Sequence, residues 1–213
     1  VDIAPQWLGA PLSAGEEASR RRRTASPAFA VERQPHLVVL VPGGPLALPM
    51  DAIERIVRSE HLTALPERSG ALRGVMTLPG EVVAVLDPAA LFERSVLPLA
   101  AESCVVVLRR DTHAEGPAAG LLVDGVREVL DVAGFEIAAP PRAGGLFAAR
   151  WIAGMTRVGG LVPILDLGAL LRSPVARAAL TAASEWLAQA ALAAASEWLA
   201  QAGDDDDPRS GSR

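Results

Sequence analysis

The sequence predicts a mainly β protein, two similar small antiparallel barrels with short helices, ending in a long C-terminal α-helix. Three observations carry this reading. Apolar runs of about six residues, rich in Val and Ile, alternate with Gly/Pro turns, which favours small antiparallel barrels over a βαβ layout. The run Leu48-Pro49-Met50-Asp51-Ala52-Ile53-Glu54-Arg55-Ile56-Val57 returns as Leu121-Leu122-Val123-Asp124-Gly125-Val126-Arg127-Glu128-Val129-Leu130, and residues 74–87 return as 154–166, one residue shorter. Two blocks repeated in the same order imply two similar subdomains. Third, residues 174–202 are Ala-rich and differ in character from everything before them.

Residues 1–34 mix Gly, Ser, Pro, Glu and Arg without periodicity, the composition of a flexible extension, with Trp7-Leu8 as a weak anchor inside it. A first hairpin is expected over 37–41 and 46–49. It turns at Pro42-Gly43-Gly44-Pro45, where Gly supplies a positive φ and Pro a fixed one. An extended segment at 53–57 and a Pro-marked loop at 63–70 lead to a second hairpin, 71–78 and 81–86, turning at Pro79-Gly80. Asp87 then precedes a short apolar helix at 88–92, where its carboxylate can cap orphan N–H groups.

The second copy repeats this plan. Strands at 104–109 and 118–123 flank a polar loop, 126–132 is extended, and 150–157 pairs with 161–165 across Val158-Gly159-Gly160. Asp166 caps a helix at 167–171, as Asp87 does in the first copy. No helical pattern long enough for a crossover lies between the second strand and the second hairpin of this copy. Ser173 as N-cap, Pro174 at the first helical position and Gly203 at the end frame a helix of ~29 residues, about 43 Å long. Inside it, Ala-Ser-Glu-Trp-Leu-Ala-Gln-Ala at 183–190 is repeated at 195–202. Twelve residues rotate a side chain by about 120°, so Trp186 and Trp198 cannot share one face of a straight helix. One copy is expected to dock on the domain while the other projects or self-associates. The domain plan is therefore 1–34 extension, 35–172 folded domain with subdomains at about 35–100 and 101–172, 173–202 helix, and 203–213 disordered acidic tail.

Composition removes several function classes. Half of the 213 residues are apolar, which allows a sizeable core, and with 4% aromatics and no Tyr that core is built from Val, Leu, Ile and Ala. The net charge is −5, with four negatives at Asp204, Asp205, Asp206 and Asp207, so the folded part is near neutral and shows no basic face for nucleic acid. The single basic run, Arg20 to Arg23, reads as a solvated tail. Lys is absent, which excludes a P-loop lysine, a Schiff base and a kinase-type phosphate lysine. The lone Cys104 fits a reduced cytoplasmic setting. No apolar stretch of membrane-spanning length occurs, and Val1 to Leu12 lacks the pattern of a secretory leader. A first residue of Val reads as a non-AUG start or a trimmed end.

No catalytic or metal-ligating constellation is expected. The Gly-x-Ser-x-Gly, His-Glu-x-x-His, Cys-x-x-Cys and Gly-x-Gly-x-x-Gly patterns are all missing. His36, His61 and His113 fall at element edges or in loops and read as solvated residues, while Cys104 heads an apolar strand and reads as a buried, inert thiol. The carboxylates Asp51, Asp124, Asp87 and Asp166 recur in both copies, the mark of a structural role, since one active site needs only one of each. The chain reads as no enzyme, with no cofactor.

The segment from Leu48 through Val57, Leu62-Thr63-Ala64-Leu65-Pro66 and Leu72 through Asp87 resembles the CheW-like domain of bacterial chemosensory systems, and so does Gly120 through Val126 followed by 152–171. The resemblance runs over roughly 36–172 with both halves present. It implies two interleaved five-stranded SH3-like barrels with a groove between them. It also implies an adaptor that couples a chemoreceptor's cytoplasmic tip to the regulatory domain of a CheA-type histidine kinase. By position, Ile53 and Arg55 fall in the family's receptor-contact segment, and Gly74, Leu78, Pro79 and Gly80 fall on its partner-facing Gly…Leu-Arg-Gly stretch. Pro79 stands where the family usually has Arg, and Arg55 where an acid is common, which implies a divergent receptor or kinase partner, or weakened receptor coupling, rather than loss of fold. The alternative is a small-molecule sensor using the groove, which requires polar groups converging on an enclosed cavity.

Overall fold

The computed structural model describes residues 32–65, 70–94, 98–112, 116–140 and 149–204. The expected extension up to residue 31, part of the 63–70 loop, His113 and the tail from residue 205 lie outside them. The elements are β1 (Arg33–Val41), β2 (Gly44–Pro49), β3 (Ile53–Arg58), β4 (Leu62–Thr63), β5 (Leu72–Leu78), β6 (Glu81–Leu86), α1 (Pro88–Leu91), β7 (Cys104–Leu108), β8 (Ala118–Val123), β9 (Gly125–Ala133), β10 (Ile137–Ala138), β11 (Ile152–Thr156), β12 (Val162–Leu165), α2 (Leu167–Leu171) and α3 (Pro174–Asp204).

The strands form two six-stranded sheets, β3-β7-β8-β6-β5-β4 and β10-β11-β12-β2-β1-β9. Replacing each strand of one sheet by its duplicate gives the order of the other, β7-β8 standing for β1-β2. Each copy therefore lends its opening hairpin to the other copy's sheet. The parallel β6–β8 and β12–β2 pairings and the antiparallel β3–β7 and β1–β9 pairings complete the exchange. The lobes are consequently not the halves 35–100 and 101–172. One lobe runs from β3 to β8, and the other joins β1 and β2 to β9 through β12. Each sheet has five strands of four or more residues plus one of two residues, β4 or β10, so the strand count is six rather than five.

Alternation divides the core. In β6 and β7, Val83, Val85, Val105 and Val107 turn into a private core of the first lobe, while Ala84, Leu86, Val106 and Leu108 turn into a larger shared core. In the second lobe Val38, Leu130, Val162 and Ile164 form the private core, and Leu37, Val39, Val41 and Leu165 join the shared one. Strands buried on both faces carry continuous apolar runs rather than alternation, which is why Cys104–Leu108 is apolar throughout. Val57 on β3 and Leu62 on β4 pack on the same private core although their strands end opposite edges of the sheet, so the sheet is rolled. Leu130 on β9 and Ile137 on β10 do the same in the second lobe.

The caps form as the sequence requires. Asp87 and Asp166 each accept a hydrogen bond through Oδ1, from the Ala89 and Ala169 N–H groups, both at 2.8 Å. Ser173 Oγ accepts from the Ala176 N–H at 3.2 Å at the start of α3. That helix reaches Asp204, two residues beyond the expected end, and buries Ala176, Ala179, Leu180 and Ala183 in the shared core. Two expectations are corrected at the N-terminal side. β1 begins at Arg33, inside the expected extension, because its polar first half pairs with β9 as far as Ala133. His36 consequently lies within a strand, 3% exposed, with Nδ1–H donating to the Gln34 carbonyl at 2.8 Å, and is not a solvated edge residue. His61 is exposed in a single 3₁₀ turn.

Candidate functional site

Four of the six residues singled out in the sequence meet at one end of the first lobe. Leu78 and Glu81 close the β5–β6 hairpin, and between them Pro79 and Gly80 make the turn, with Gly80 at φ +85°. Proline followed by a residue of positive φ is the signature of a type II turn, which only glycine fills without strain. Both turn residues are exposed, and Leu78 is half-buried against the private core. Arg55, on β3, ion-pairs with Glu81 just past the turn and with Glu54 at 2.9 Å. In a flat sheet β3 and β6 would be three strand spacings apart, about 14 Å, so this contact depends on the rolled sheet. The Arg55 Nε is buried without a hydrogen-bond partner, so the guanidinium is held through Nη2.

The other two residues lie elsewhere. Ile53 is 7% exposed within the shared core. The pairing of β3 with β7 is irregular between Ile53 and Arg55, which turns the strand so that Ile53 faces the shared core and Val57 the private one. Gly74 is buried where β5 passes β4, and a Cβ there would stand 2.3 Å from the Thr63 carbonyl oxygen. Gly74 therefore serves close strand packing, not an outer surface.

Sequence reasoning passed over Ile56, which is 45% exposed on the outward side of β3. Alternation read from a surface-facing Ile53 would have turned it inward, because the irregularity between Ile53 and Arg55 leaves no mark in the sequence. Also unassigned from sequence were Val126, Val129, Phe135 and Leu161, all exposed apolar residues of the second lobe.

Cys104 is buried, and burial pushes its thiol pKa up against a smaller opposing effect of the Arg58 charge, so it is held as the neutral thiol. Asp124 lies where the chain crosses from the first lobe to the second, its N–H donating to the Leu40 carbonyl at 2.8 Å. Burial, and secondarily the charge of Asp87, raise its carboxyl above the ordinary value. Among the described residues no group of three His, Cys, Asp or Glu side chains is placed to hold a metal ion. What the site offers is a rim of exposed turn, apolar side chain and neutralised charge, which suits protein contact rather than bond-making.

Comparison with known proteins agrees with this geometry. The family model for the CheW-like domain matches residues 35–175. The crystal structure of the scaffolding protein TtCheW from Thermoanaerobacter tengcongensis aligns with a TM-score of 0.58 at 20% sequence identity, covering 70% of this chain and 94% of that one, a likeness of fold. No curated protein matches the sequence. With the family model spanning both lobes, the chain belongs to the CheW-like domain family.

Proposed function

We propose that the chain is a non-enzymatic adaptor of bacterial chemosensory signalling, linking the cytoplasmic tip of a chemoreceptor to the regulatory domain of a CheA-type histidine kinase. The observation that carries this reading is the family match across 35–175, on a twin-lobed fold shared with a protein described as a scaffold. Among the described residues no helix is long and apolar enough to cross a membrane, which accords with a cytoplasmic chain working through protein partners. A sensing module needs polar groups around an enclosed space. The seam between the lobes is instead occupied by apolar side chains of the shared core, among them Leu37, Val39, Leu72, Val106 and Leu121.

The docking surface in this reading is the Leu78-Pro79-Gly80 turn with Arg55 and Ile56. Arg55 is held within the chain by Glu54 and Glu81, so apolar area carries most of the affinity and the rim charges chiefly set partner choice. Calorimetric titration against a CheA-type kinase regulatory domain tests this. Ile56→Asp is expected to weaken binding about tenfold or more while leaving the fold intact. Ile53→Asp is unsuitable for this purpose because it breaks the core. Absence of binding to both kinase and receptor tip, with a metabolite bound instead, would remove the adaptor reading.

A further inference from the structure

The part of α3 that is seated on the domain is written out twice. Ala176, Ala179, Leu180 and Ala183 are buried in the shared core, and Ala182 and Trp186 pack against it, where the helix crosses β5 and β6 of the first lobe. Twelve residues on, Ala188, Ala191, Leu192, Ala194, Ala195 and Trp198 repeat these side chains one for one, and all of them are exposed. Between 176–186 and 188–198 the sequence differs only at Arg177/Gln189 and Thr181/Ala193, and Arg177 and Thr181 are exposed rather than seated. The serines correspond as well. Ser184 Oγ–H donates to the Leu180 carbonyl at 3.1 Å, and Ser196 Oγ–H to the Leu192 carbonyl at 2.9 Å.

The seated face is broad. Leu180 and Trp186 stand about 120° apart around the axis, and both still reach the shared core. The second repeat has the same breadth and the same side chains, so the apolar contacts that seat the first are open to the second. Both cannot be seated at once, because a straight helix turns the second by about 120° and carries it about 18 Å further along the axis.

We propose that the seat accepts either repeat, so that α3 has a second register displaced by twelve residues. In that register Leu192 takes the place of Leu180 and Trp198 that of Trp186. The shared core stays closed, residues 174–187 become a loop at the root, and the helix reaches about 18 Å less far from the domain. The exchange gives up the Ser173 cap and the helical bonds of the looped residues, so the register with the first repeat seated is the major one. The apolar contacts balance, and these local terms alone separate the two.

Disulfide trapping on the full chain carrying Cys104→Ala tests the second register. A Cβ at Gly116 would lie 3.9 Å from the Leu180 Cβ, within disulfide range. Gly116→Cys with Leu180→Cys therefore closes in the major register, and Gly116→Cys with Leu192→Cys closes within one chain only after the slip. Gly116→Cys with Gln189→Cys, at the counterpart of exposed Arg177, is the reference for random encounter. The 116–192 bond is expected to form more slowly than 116–180 and about tenfold or more faster than 116–189. A second measurement needs no cysteine. Leu192→Glu alone should leave the urea midpoint unchanged, but added to Leu180→Glu it should lower the midpoint further, because it disables the substitute; sites without a shared seat would simply add. A 116–192 rate no greater than that of 116–189, or a Leu192→Glu effect that is the same in both backgrounds, overturns the proposal.

Discussion

The outer strands β3 and β9 are duplicates of one another, yet they present opposite charges. β3 reads Ile53-Glu54-Arg55-Ile56-Val57-Arg58, and β9 reads Val126-Arg127-Glu128-Val129-Leu130-Asp131. Every apolar position is matched and every charged position is inverted. Val57 and Leu130 both turn into private cores, while Ile56 and Val129 both face out. Each strand carries a neighbouring ion pair, Glu54–Arg55 at 2.9 Å and Arg127–Glu128 at 3.4 Å, with its order reversed. The duplicated fold thus fixes the inward residues and the caps, and leaves the rim free to differ. The lobes are alike as structures and unlike as surfaces, so a partner that binds one rim meets the wrong charges on the other.

The largest expected departure from lobe symmetry lies at the head of these strands. Ile53 is 7% exposed, whereas its duplicate Val126 is 43% exposed. Ile53→Asp places a carboxylate in the shared core and should cost about 4 kcal/mol or more, enough to unfold a marginal domain. Val126→Asp should stay within about 0.5 kcal/mol of the parent in urea unfolding. Equal losses would mean that the two strands sit alike on the core, contrary to their burial.

A smaller asymmetry separates the two capping aspartates. Both accept a helix N–H at 2.8 Å, but Asp87 also lies 3.6 Å from Arg73, with both side chains nearly buried. By the duplication, Ala153 stands opposite Arg73. Asp166→Ala should therefore cost about 1 kcal/mol for the lost cap. Asp87→Ala should cost more, about 2 kcal/mol, because it also removes a carboxylate that pairs with the largely buried Arg73 guanidinium. Chemical denaturation of both variants gives the comparison directly, and a matched pair of losses would show that the Arg73 contact contributes nothing.

Sequence revealed these symmetric features more readily than the asymmetric ones. Turns, caps and strand positions depend on local chemistry, so Pro79-Gly80, Asp87, Asp166 and Ser173 could be placed from neighbouring residues alone. The exchange of hairpins between copies depends on pairing across about ninety residues, as between Val38 and Glu128, which no local pattern encodes. The burial of His36 follows from that same pairing. At the rim, Arg55 was identified by position, but its contact with Glu81 exists only because the sheet rolls. Ile53 was misjudged as a surface residue because the irregularity beside it has no signal in an apolar-charged-charged-apolar run.

The smallest effect concerns Asp124, at the crossing between lobes. Its carboxyl is raised above the ordinary value by burial and then by Asp87, so the folded chain holds this proton more tightly than the unfolded one. The sign follows from linkage: stability from this group is fully present below the unfolded-state pKa, falls as pH rises toward the raised folded-state value, and levels off above it. Asp124→Asn removes the charge that is penalised. The variant should therefore gain on the parent at neutral pH and lose that gain on acidification. Asp51, the exposed duplicate, supplies the control for deletion of one negative charge through Asp51→Asn. Urea midpoints measured from neutral to mildly acidic pH should converge for Asp124→Asn and its parent. Curves that run parallel across that range would show that the crossing carries no proton-linked cost.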